Sequence, residues 1–329
     1  MAYLDLARAV AVVFLAALYS AVSPLALAPV YGSTPALRVH SQALYCIAVP
    51  VGVILGHGSC LVSVQGRRFL PALALLIPNF QHYLFQFSSQ LGNPIGPWVT
   101  ELLTIAPLVF LSAAVSMELL NSLNLRRRGW LISKVLPSTA GAFFFVFVHI
   151  FAESIIPLQL EPQSFTSFGI EASLAVLYTV ALAQDVSSVW YTVPILIFTL
   201  QNNVHMPLAD TTALLNSTLQ GINYSLVDRQ ESLTGYISVL DNTQAGFRAM
   251  RCDHSLLGGQ WMNWPSGYSP RVSDPIFAVF TMLESIRLVE PGMNGLMKKD
   301  TESNALVMYG YLNGSHDSLL TDCHLVDWE

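Results

Sequence analysis

Five runs of about twenty mainly apolar residues constrain this chain more than any other feature, because a helix of that length and texture crosses the hydrocarbon layer of a bilayer. They cover residues 9–30, 43–64, 69–87, 98–120 and 135–158, each set between polar or Gly/Pro-rich breaks. A sixth stretch, 169–204, is interrupted at Asp185-Val-Ser-Ser and leaves two shorter apolar pieces, 170–184 and 186–200. The fold class expected is therefore mainly α, a polytopic transmembrane helix bundle of about seven spans, with six as the rival count. A short, incomplete α/β C-terminal tail follows it.

Composition supports the same division. Of 329 residues only 11% are charged, where a soluble domain carries about a quarter. Residues 1–204 hold 8 Lys/Arg and 7 Asp/Glu, whereas 205–329 hold 7 and 14, so the net charge of −6 gathers in the second part. The expected domains are a helical bundle over 1–204 and a polar tail over 205–329. No basic stripe is present, and nucleic acid is not an expected partner. The expected partners are the lipid bilayer and membrane-associated biosynthetic enzymes.

Prolines at 50, 78, 107 and 194 lie inside the apolar windows, where each removes a backbone donor that neighbouring helices must replace. Gly52, Gly56 and Gly58 offer a small-residue face for close helix approach. Arg8, the pair Arg67 and Arg68, and the group Arg126, Arg127, Arg128 and Lys134 alternate with loops poor in cations, which puts the amino terminus on the cytoplasmic side. Seven spans then leave the tail lumenal and six leave it cytosolic. Sequons at Asn216, Asn223 and Asn313 fit glycosylation on the lumenal side. The membrane expected is that of the endoplasmic reticulum or another secretory compartment.

Ionisable groups inside apolar windows are the first candidates for function. His149 and Glu153 are four residues apart, which puts them on one face of a helix. Glu101 and Glu118 lie near opposite ends of the fourth window, with His82 in the third and His57 in the second. A small-solute or proton-coupled transporter would use such groups.

In the tail, Gly235-Tyr-Ile-Ser-Val-Leu240 alternates as a strand, Asp241-Asn242 turns, and Phe247-Arg-Ala-Met-Arg-Cys252 reads as the returning strand. A helix is expected over 278–289, capped by Asp274, and a further apolar strand over 305–309. This order, with the words Ser232-Leu-Thr-Gly-Tyr-Ile-Ser-Val-Leu240 and Arg251-Cys-Asp-His-Ser-Leu-Leu-Gly-Gly-Gln-Trp261, resembles the opening region of spermidine-synthase-like proteins, in particular fungal forms fused to membrane spans. The resemblance covers residues 226–308. It implies a small β domain ahead of a Rossmann domain that would bind a sulfonium donor and transfer its aminopropyl group. It also places Asp253 at the edge of an amine site, with Ser255, Gly258 and Gly259 in the same motif.

The chain departs from that pattern at Gly310-Tyr-Leu-Asn-Gly314, where bulky Tyr311 and Leu312 stand between two glycines that should let a backbone approach a nucleotide. Phe277 replaces a tyrosine often found on the substrate side. Too few residues follow Gly314 to carry the acidic ribose contact, so the chain reads as a shortened form lacking the Rossmann catalytic domain. The pairs Cys252/His254 and Cys323/His324 lack zinc-ligand spacing, and no metal or cofactor is expected. The function expected is a non-catalytic accessory or anchoring role in a biosynthetic pathway. The alternatives are an aminopropyltransferase-like enzyme completed by a missing domain or partner chain, and the transporter built on His149 and Glu153.

Overall fold

The computed structural model describes residues 2–262, apart from 59, 122–134, 160–165, 183–189, 191, 207, 233, 234 and 254. A central helix, α1 (Ala2–Tyr31), carries Val12, Leu15, Ala16, Tyr19 and Val22 inward at helical spacing. It packs against α2 (Ser33–Gln42), α7 (Ile105–Asn121), α8 (Leu136–Ile155) and α9 (Ser167–Leu182). A π-helical segment, Ala43–Ala48, continues α2 into α3 (Val49–Gly58). The long α4 (Cys60–Phe85), short α5 (Ser88–Leu91) and α6 (Ile95–Leu103) follow, and α10 (Thr192–Asn202) packs on α4.

Proline explains the break between α6 and α7. Pro107 withholds the donor that Leu103 would receive within a continuous helix, and the chain breaks there into α6 and α7. In α4, Pro78 does the same to Ala74, and the helix continues because other side chains serve the opened carbonyls. Tyr19 donates to Ala74 O at 2.8 Å, Thr199 of α10 to Leu75 O at 2.8 Å, and Asn203 to Pro78 O at 3.2 Å. The small-residue face is used at Gly52, where an added Cβ would stand 2.8 Å from the Ala113 side chain and 3.0 Å from the Phe110 backbone.

These elements correct the expected seven-span architecture. Among the described residues, four helical stretches are long and apolar enough to cross a membrane: Tyr3–Tyr31, Ser33–Ile54, Ile95–Leu120 and Leu136–Leu158. The described residues of the window at 43–64 belong to the π-helical segment, α3 and the start of α4, on either side of residue 59. Helix α4 carries Arg67, Arg68 and two prolines, and Ser167–Leu182 and Thr192–Gln201 are shorter apolar helices.

Beyond α10, helix α11 (Ala209–Gln220) leads into four strands: β1 (Tyr224–Ser232), β2 (Gly235–Asn242), β3 (Phe247–Cys252) and β4 (Ser255–Trp261). They form an antiparallel meander in the order β1-β2-β3-β4. The expected β2–β3 hairpin is present, with Ile237 opposite Cys252, but Asp241 and Asn242, expected as its turn, extend β2 and pair with Arg248 and Phe247. Cross-strand partners Asp241 and Arg248 are joined by two hydrogen bonds of 2.7 and 2.9 Å, and the guanidinium holds the Asp241 carboxyl below its ordinary range. The described tail is thus an antiparallel sheet and not the start of a parallel α/β layer. The expected helix at 278–289 and strand at 305–309 lie outside the described residues.

The sheet is fastened to the helices by two charged side chains of β1. Glu231, buried, accepts a 2.8 Å hydrogen bond from the Ser167 amide at the first turn of α9. Burial pushes its carboxyl up, and the bonds to Ser167 pull it partly back. Arg229 donates to the carbonyls of Val204 and Met206 and, at 2.8 Å, to the Thr212 hydroxyl of α11.

Candidate functional site

Two polar assemblies stand out against the apolar interior. The first is a seam through the helices. Glu101 of α6, 1% exposed, accepts from Ser23 Oγ at 2.8 Å and lies 3.0 Å from His40 Nδ1. The other nitrogen of that ring, Nε2, is 3.4 Å from His149 Nε2 and 3.2 Å from Ser20 Oγ. His149 is held at Nδ1 by the Tyr45 hydroxyl, 3.0 Å away, and its Nε2 is 3.7 Å from Glu153 Oε1. The two imidazoles stack with centroids 5.6 Å apart. His40 is wholly buried, His149 is 1% exposed and Glu153 is 33% exposed. Beside the seam, Gln81 donates to Ser23 at 3.4 Å, and Glu171 of α9 is fully buried with neither carboxylate oxygen in a hydrogen bond.

Helical spacing correctly put His149 and Glu153 on one face, and the structure adds Glu101 to the same network. Glu118 is elsewhere, paired with Arg67 at 3.1 Å between α7 and α4. Sequence reasoning missed His40, Tyr45, Ser20, Ser23, Gln81 and Glu171. His40 follows Arg38 in a stretch that reads as a polar connection between apolar windows, and the only local signal was an imidazole three residues before the second window.

The second assembly is a cleft of about 310 Å³ where the ends of α1 and α4 meet the sheet, lined by Pro29, Val30, His82, Phe85, His205, Arg251 and Asp253 among others. His205 organises it. Its ring stacks on Phe168 with centroids 5.1 Å apart and meets Phe85, His82 and Tyr236 edge-on. Burial, with the nearby His82 and Arg229, lowers the His205 pKa to about 4, so the ring is neutral near pH 7. Asp253 lies in the β3–β4 turn with φ of 50°, and its carboxylate accepts from the Tyr236 amide at 2.7 Å while covering Gly235.

The other tail candidates have plainer surroundings. Ser255 opens β4 opposite Cys252, and Gly258 and Gly259 sit within β4 opposite Met250 and Ala249. Asn216 Oδ1 accepts from the Leu226 amide at 2.9 Å, which ties α11 to β1. Asn223 is exposed at φ of 62°, with Nδ2 3.1 Å from Gln244 Oε1. Asn313, Phe277 and Gly310 to Gly314 lie outside the described residues.

Comparison with characterised proteins gives one decisive result. The chain is 41% identical over 305 residues to an N-terminal histidine N-methyltransferase of Emericella nidulans (strain FGSC A4 / ATCC 38163 / CBS 112.46 / NRRL 194 / M139), a match covering 91% of this chain. The relative is a methyltransferase. The chain spans 53% of that relative's length. No family model matches, and no solved structure does.

The finding overturns the spermidine-synthase-like assignment: two short words of sequence carried that resemblance, whereas the similarity to the methyltransferase runs through the helices as well. That relative is an enzyme, which conflicts with the expected non-catalytic anchor and fits neither aminopropyl transfer nor solute transport.

A methyltransferase needs a methyl donor, and the described residues do not form a cradle for one. A nucleotide-bearing donor is held by glycines in a loop leaving a parallel strand. Here Gly258 and Gly259 are inside an antiparallel strand, and the Asp253 carboxylate occupies the space over Gly235.

Proposed function

We propose that this chain is part of an N-methyltransferase acting on histidine at a polypeptide amino terminus, and that the cleft between the helices and the sheet receives the acceptor. The similarity over 305 residues, 91% of this chain, carries the reading. An amino-terminal histidine brings an α-ammonium and an aromatic imidazole. The Asp253 carboxylate, held in place by the Tyr236 amide, suits the ammonium. His82, Phe85 and neutral His205 suit the ring, by stacking and without charge repulsion.

The test is methyl transfer from a labelled sulfonium donor to peptides beginning with histidine, with the same peptides acetylated at the amino terminus as controls. Transfer to the unblocked peptides alone is expected. Equal labelling of both, or failure of this chain to bind the unblocked peptides in preference to the acetylated ones, overturns the proposal. Asp253→Asn keeps an oxygen for the Tyr236 amide while removing the charge, so it should raise the acceptor KM about tenfold or more and leave the fold intact.

A lipid surrounding is part of the same proposal. Four helices have the length and apolar character to cross a membrane, and α8 exposes Phe143, Phe147, Ile150 and Phe151 along one side. Retention of the protein in membranes washed with alkaline carbonate supports this, and its release into the wash refutes it.

A further inference from the structure

We propose that His40, His149 and Glu153 form a binding site for one divalent transition-metal ion, with Zn²⁺ as the reference occupant. Their ligand atoms all lie within 4.8 Å of one another. The site joins α2 to α8 across 109 residues of sequence, and nothing in the proposed methyl-transfer chemistry requires it.

The geometry of the two imidazoles carries the argument. The separation of 3.4 Å between the Nε2 atoms is long for a hydrogen bond between nitrogens. It is the spacing of ligands on a metal, because two nitrogens about 2.0–2.1 Å from a tetrahedral Zn²⁺ stand roughly 3.3 Å apart. Glu153 Oε1 lies 3.7 Å from His149 Nε2, and all three ligand atoms lie within 4.8 Å of one another. Two imidazoles and a carboxylate are a donor set suited to zinc and other first-row ions, with a further position left for water.

The surrounding residues point the same way. Metal-bound histidines commonly give their second ring nitrogen to a carboxylate or another acceptor, which fixes the tautomer and aims the free lone pair at the ion. His40 Nδ1 lies at ion-pair distance, 3.0 Å, from Glu101 without hydrogen-bond alignment, and Glu101 is itself held by Ser23. His149 Nδ1 faces the Tyr45 hydroxyl at 3.0 Å. A cation between the two Nε2 atoms takes one lone pair from each ring when the ring protons sit on the outer nitrogens. Ser20 Oγ, 3.2 Å from His40 Nε2, adds an oxygen at the edge of the same space. Tyr45 sits in the π-helical segment, a local widening of the helix often found where a side chain must be aimed at a site.

The experiment is metal analysis of the full chain purified without chelators, followed by stripping and titration with Zn²⁺ or Co²⁺ alone. About one Zn²⁺ per chain, a rise in melting temperature on adding Zn²⁺, and visible Co²⁺ absorption are expected. His149→Ala should weaken binding at least about 100-fold, and Glu101→Gln about 10–100-fold through the lost orientation of His40. If His149→Ala does not fold, Glu153→Gln takes its place, with the same direction of change. A stripped wild-type chain that binds no Zn²⁺ overturns the proposal. So does equal Zn²⁺ binding by wild type and by a chain lacking both imidazoles. None of these readouts depends on methyl transfer, so failure of the metal site and failure of the proposed enzyme activity are separately visible.

Discussion

The Tyr19 hydroxyl donates a 2.8 Å hydrogen bond to the carbonyl of Ala74, the group that Pro78 leaves without its helical donor four residues on. Both partners are buried, so the phenol does in the helix interior what a backbone amide would otherwise do. Tyr19→Phe should cost about 1–3 kcal/mol, the penalty of a buried carbonyl left unmet. In a Pro78→Ala background, where an amide is restored, the same substitution should cost about 1 kcal/mol less. Thermal unfolding of the four chains in this double-mutant cycle measures the difference, and a coupling of zero would show that the phenol is not serving that carbonyl.

A second prediction concerns acid. The His205 pKa falls from 6.5 in an unfolded chain to about 4 in the fold, which means that the folded state favours the neutral ring. Stability from this residue is therefore complete above about pH 6.5 and is lost as the pH drops toward 4, by up to about 3 kcal/mol. Replacing His205 with Phe, which retains the stack on Phe168, should flatten the stability profile across that interval. An unchanged profile in denaturant titrations at pH 7, 6 and 5 would rule out His205 as the source.

Close helix approach gives a third. A Cβ at residue 52 would meet Ala113 and the Phe110 backbone, and the backbone cannot rotate away as a side-chain tip can. Gly52→Ala should destabilise by about 1–3 kcal/mol and Gly52→Leu by more. Equal melting temperatures for Gly52→Ala and wild type would mean that α3 and α7 are not held this tightly.

The sheet attachment supplies a fourth. Glu231→Ala removes the acceptor from the first turn of α9 and should cost about 1–2 kcal/mol, whereas Glu231→Gln keeps an oxygen for the Ser167 amide and should cost less. Amide exchange at Ser167 is the direct readout. It should quicken in the alanine variant before global stability changes much.

Legibility in the sequence followed the range of the interaction. The β2–β3 hairpin and the pairing of His149 with Glu153 depend on neighbours a few residues apart, so alternation and helical spacing revealed them. Strand β1 was missed because Asp228, Arg229, Gln230 and Glu231 look like a solvated run, when Arg229 and Glu231 in fact face the helices. Strand β4 was hidden by Gly258 and Gly259, which lack the side chains that announce a strand. The seam was half legible: Glu101, His149 and Glu153 were conspicuous in apolar windows, but His40 acquires its meaning only from α6 and α8, far along the chain. The span count failed because length and composition cannot tell one crossing from two packed shorter helices.

The anchoring of Glu231 reaches further than the strand that bears it. The helix whose first amide it seals also holds Glu171 and Tyr178 in the middle of the bundle, so sheet and interior share a single stiff rod. Loss of that one hydrogen bond would unseal the helix four residues ahead of the buried Glu171 carboxylate.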